Sequence, residues 1–64
     1  MRYEVVIIRN LNDRFFWQLK SHHRIIADSA VNPRKHVIEK MALPLAKQLK
    51  CKVSFCDLRE ESIE

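Results

Sequence analysis

Only one segment of this chain carries apolar residues at helical spacing, and it lies between segments that read as strands. At ~100° per residue, Ile38, Met41, Ala42, Leu45 and Leu49 fall on one stripe, with Ala46 at its edge. His36, Lys40, Leu43 and Lys47 fall on the opposite side. A lone helix can cover one face of a sheet and no more, which points to two layers. Asn32 and Pro33 mark its expected start. An asparagine side chain can accept from an early helical N–H, and a proline at the first helical position gives up a donor that would have no partner there. The helix is therefore predicted over residues 33–50. Pro44 falls inside it, where the ring removes a hydrogen bond and clashes with the preceding turn at a cost of ~3 kcal/mol. Met41 and Leu45 stay in phase across the proline, so a single kinked helix that wraps the sheet is expected rather than two short ones.

The strands read from composition and period two. "YEVVIIR" (residues 3–9) is β-branched and aromatic, and its apolar run Val5–Ile8 leaves neither face polar, as in a central strand. "RFFWQLK" alternates, with Phe15, Trp17 and Leu19 on one face and Phe16, Gln18 and Lys20 on the other. "SHHR" reads as a hairpin turn with His22 and His23 at its exposed tip, and "RIIADS" as a weaker third strand. In "CKVSFCD" Cys51, Val53 and Phe55 point one way and Lys52, Ser54 and Cys56 the other. The predicted class is α+β: a three- or four-stranded, mainly antiparallel sheet packed on one helix, in the order β-β-β-α-β. The expected core is Phe15, Trp17, Leu19, Val53, Phe55 and the helix stripe. Residues 1–57 form the single domain and residues 58–64 an acidic tail, frayed at its end.

These elements resemble a small family of uncharacterised bacterial and phage domains of about this length. Their pattern is a strand, a Trp-x-Val-Lys strand, a short third strand, an alanine-bearing helix and a closing strand that ends near an aspartate. "WQLK" (Trp17–Lys20), "MALPLAKQL" (Met41–Leu49) and "VSFCD" (Val53–Asp57) fill those places. The resemblance implies the element order and no particular activity. Family members carry glycine in the turns and near the end; this chain has none, and Pro44 is a second departure.

The missing glycine also excludes chemistry. Glycine-rich phosphate loops, the dinucleotide-binding fingerprint and glycine-type nucleophile elbows are all ruled out. Any left-handed turn position must use Asn, Asp, His or Ser. The potential metal ligands are His22, His23, His36, Cys51 and Cys56, and their spacing matches no structural zinc pattern. Cys51 and Cys56 lie on opposite faces of one strand, separated by roughly 16 Å at ~3.3 Å per residue. A bridge needs Cα atoms within ~7 Å, so free thiols are expected. Cys56, a histidine and Asp57 could supply a nucleophile and its partners, but a thin single sheet offers little room for a deep pocket. The expectation is no enzyme, no cofactor, no metal and no small-molecule substrate. No run of ~20 apolar residues is present to span a membrane, and the cytoplasm is the expected location.

Two kinds of partner remain. Residues 1–56 hold eleven Lys/Arg against four Asp/Glu, whereas residues 57–64 hold one Arg against four acids. A basic body suits a polyanion, and Arg34, Lys35, Lys40 and Lys47 on or before the helix, with Lys20 and Arg24 on the strands, are the candidate contacts for DNA or another nucleic acid. The rival reading is protein binding or a homodimer. Small chains of this kind resemble accessory proteins, some of them phage-encoded, that dock onto a host enzyme or assemble on themselves. Val6, Ile8, Phe16 and Leu43 face away from the predicted core and would form that interface. Protein interaction or self-association is the leading expectation, with nucleic-acid binding as the alternative.

Overall fold

The computed structural model describes residues 2–61. Its elements are β1 (Tyr3–Arg9), β2 (Phe15–Ser21), β3 (Arg24–Asp28), α1 (Lys35–Leu49), β4 (Lys52–Asp57) and α2 (Leu58–Glu61). The sheet has the strand order β3-β2-β1-β4. β1 pairs antiparallel with β2 and parallel with β4, and β2 pairs antiparallel with β3. The fold is thus α+β in the β-β-β-α-β order, with a four-stranded mixed sheet and α1 on one face. α2 takes the first four residues of the segment read as a tail; residues 62–64 lie outside the described residues.

Without glycine, the turns are built on side chains that tolerate or support left-handed backbone. Between β1 and β2, the Asn10 side-chain oxygen accepts from the N–H groups of Asn12 (2.9 Å) and Arg14 (3.0 Å), and Asp13 takes φ 62°. The β2–β3 hairpin closes on two residues, His22 (φ 53°) and His23 (φ 69°). Two consecutive positive-φ residues are what a type I′ hairpin turn demands, usually of Asn-Gly. α1 ends on Lys50 at φ 54°, ψ 46°. The Lys50 N–H donates to the Lys47 carbonyl and the Cys51 N–H to the Ala46 carbonyl (3.0 Å). This is a Schellman closure with lysine in the place glycine normally takes.

The start of α1 differs from the expectation. Asn32 is not its N-cap, and Pro33 is not its first residue. Arg34 holds the cap position with no side-chain cap, and no acidic residue lies in the first turn. Asn32 is committed elsewhere: its backbone exchanges two hydrogen bonds with Phe15 (2.7 and 2.8 Å), and its side chain accepts from the Arg34 N–H at 2.8 Å. Pairing with the start of β2 holds the chain extended through Arg34, so the helix starts only at Lys35. The helix then runs unbroken through Pro44, which lies on its exposed side, where water can serve the freed carbonyl.

The core is Val5, Ile7, Ile38, Ala42 and Ala46, with Phe15, Trp17, Leu19, Leu45, Cys51 and Val53 packed against it. Ala46 lies in its centre rather than at an edge, and the two alanines let α1 approach β1 closely. Three expected core residues are outside, Leu49 among them, which does not pack against the core. Met41 is 51% exposed and Phe55 47%. Phe55 is on the helix-bearing face, since it stands opposite Ile7, but β4 is an edge strand and the ring projects beside the helix. There the Lys35 ammonium sits 4.3 Å from the ring centroid, a cation–π contact.

Candidate functional site

Cross-strand partners share a face of the sheet, so the registers place each candidate side chain. On the face without α1, Glu4 stands between Lys20 and Lys52, Val6 between Gln18 and Ser54, and Ile8 between Phe16 and Cys56. Val6, Ile8 and Phe16 therefore come together as expected. Val6 and Ile8 are only 7% and 8% exposed, however, while Phe16 is half-buried. Leu43 is exposed on α1, in the other layer, and is not part of this group.

The basic candidates do not form one surface either. Lys40 and Lys47 are exposed on α1, Arg34 precedes it and Lys35 lies over Phe55. Lys20 is on the helix-free face, and Arg24 begins β3 beside the hairpin turn. What the fold gathers instead is a different set. β1 and β4 run parallel and begin at the same end of the sheet, where β2 and α1 finish. At that end Arg2, Lys20, His22, His23, Lys50 and Lys52 line an open hollow. Glu4 is its one carboxylate, and the Ser54 hydroxyl donates to it at 3.3 Å. The sequence places these residues in three separate segments, and only the β1–β2 and β1–β4 registers make them neighbours.

The opposite end of the sheet carries a balanced charge cluster. Arg9 Nε donates to Asp13 Oδ1 at 2.7 Å and Arg9 Nη1 to Asp57 Oδ2 at 3.1 Å. Asp57 Oδ1 accepts from the Arg59 N–H at 3.0 Å, which starts α2, and Arg59 Nη1 lies 3.7 Å from Asp13 Oδ1. The hydrogen bonds to Asp13 first, and then to Asp57, push the Arg9 guanidinium above its ordinary range. This cluster pins α2 and the β1–β2 turn to the end of β4.

Cys51, beside the core, and Cys56, opposite Ile8, are not bridged by a disulfide. Among the described residues, no group of three or more His, Cys, Asp or Glu side chains is placed to hold a metal ion. Among the described residues, no helix is long and apolar enough to cross a membrane. No family model matches the chain, and no curated protein or solved structure matches it.

Proposed function

We propose that this chain is a small, non-enzymatic interaction protein that associates with a second copy of itself through the free edge of β3. One observation carries this reading. Every residue of β3 is exposed, including Ile25 at 55% and Ile26 at 53%, and the strand is paired on one side only. Edge strands invite pairing unless guarded by charge, proline or a bulge. β3 has no charge or proline at its centre; its guard is the bulge opposite Leu19–Lys20, which leaves both isoleucines outward. Arg24 and Asp28 close the strand at either end, and neither has an ion-pair partner among the described residues. Antiparallel copies would bring the basic end of one strand beside the acidic end of the other.

A thin core adds support, since a domain this small gains from a second copy. Cytoplasmic residence fits two unbridged cysteines, which persist as thiols in a reducing compartment. Kinship with the bacterial and phage domains belongs to the same proposal and rests on Trp17–Lys20, Met41–Leu49 and Val53–Asp57.

Light scattering coupled to size exclusion tests the reading. The expected result is a dimer mass at tens of micromolar that falls to monomer in Ile26→Lys, with the circular dichroism spectrum unchanged. A monomer at several hundred micromolar, or a dimer indifferent to charge at both Ile25 and Ile26, would sink it.

A further inference from the structure

We infer that the basic hollow is a binding site for the phosphodiester backbone of a nucleic-acid strand, distinct from the β3 edge and independent of self-association. Four full cations, Arg2, Lys20, Lys50 and Lys52, converge there against the single carboxylate of Glu4. Part of that charge could simply answer the negative end of the α1 dipole. Two of the four terminal carbonyls are already engaged, however: Ala46 by Cys51 N–H and Lys47 by Lys50 N–H. Half a unit of partial charge also does not call for four cations from three separate segments.

Backbone conformation points the same way. Of the four positive-φ residues among those described, three, His22, His23 and Lys50, line this hollow. Each sits where glycine or asparagine would be easier, and each contributes an imidazole or an ammonium instead. Side chains held in costly conformations gather at functional sites. The hollow is partly open to solvent, which leaves room for an extended polyanion to pass along it. The exposed rings of His22 and His23 stand beside the cations, where an unpaired base could stack while neighbouring phosphates meet Lys20, Lys50 and Lys52.

The test is fluorescence anisotropy with a short labelled single-stranded DNA at low salt, with inorganic polyphosphate of equal charge as competitor. Binding is expected to weaken as salt rises, and the combined variant Lys50→Gly, Lys52→Gln is expected to lower the slope of log affinity against log salt by about 2, one for each lost phosphate contact. Lys50→Gly relieves a left-handed residue, and an unchanged circular dichroism spectrum and urea midpoint of the combined variant separate lost binding from unfolding. Lys40→Gln with Lys47→Gln, on the outer side of α1, should leave binding unchanged. No binding at low salt, or binding lost in the α1 pair and retained in the hollow variant, would overturn the site. Competition by polyphosphate equal to that by unlabelled oligonucleotide would overturn its assignment to nucleic acid.

Discussion

Lys50 shows what the absence of glycine costs. A non-glycine residue in the left-handed region pays about 1–2 kcal/mol to the clash between its Cβ and the following carbonyl. Part of the gain on substituting glycine is returned through the greater freedom of the unfolded chain. Lys50→Gly should therefore raise stability by roughly 0.5–1 kcal/mol in urea melts. A loss of stability would mean that the lysine side chain does structural work beyond closing α1. Arg9 supports a different expectation. Its folded-state pKa is raised by Asp13 and Asp57. For a base, the stabilisation is complete below the unfolded value and is lost only as pH climbs through the higher folded value, far above neutrality. Carboxylates are ionised above about pH 6. The stability difference between wild type and Arg9→Gln should therefore stay constant between about pH 6 and pH 10, as measured by denaturant melts at each pH. The sequence anticipated that Asp and His would occupy left-handed positions, which they do at Asp13, His22 and His23. It gave no sign of Lys50, because lysine has no local hydrogen bond with which to support that conformation.

Among the elements, α1 is the one whose face was most legible and whose start was least so. Ile38, Ala42 and Leu45 turn inward as their spacing demands. The start was misread because Asn32-Pro33 is a good local signal overruled by a distant one, the backbone bridge from Asn32 to Phe15. The helix consequently begins with no side-chain cap and no acidic residue in its first turn. Arg34→Asp should supply both a cap and a favourable charge, and stabilise the fold by about 1 kcal/mol, read as a shift in the urea midpoint. No change would show that Asp at 34 cannot reach the free N–H groups. The bounds of β1 and the alternation in β2 and β4 were also readable. The parallel pairing of β1 with β4 was not, since no local pattern encodes which strand a crossover returns to. That pairing decides the rest. It makes β4 an edge and leaves Phe55 beside the helix rather than beneath it. It also places Lys52 next to Glu4 and Lys20, so the basic hollow was invisible along the chain.

For the molecule as a whole, α1 covers one face, and β1 beneath it is the only strand among the described residues with fully buried positions, Val5–Ile8. Charge is distributed along the sheet. One end carries the paired Arg9, Asp13, Asp57 and Arg59, and the other holds a cationic excess. The proposed self-association and nucleic-acid contact lie away from the core, so both depend on a scaffold that a few small contacts hold together. The claim beneath all of this is that α1 seals the sheet through Ile38 and the alanines below it, and not through the wider stripe that includes Met41. Urea melts of Ile38→Ala and Met41→Ala, measured side by side, test it most directly. The account predicts a loss of about 2–5 kcal/mol for Ile38→Ala and within ~0.5 kcal/mol of wild type for Met41→Ala. Equal losses, or a larger one at Met41, would contradict it.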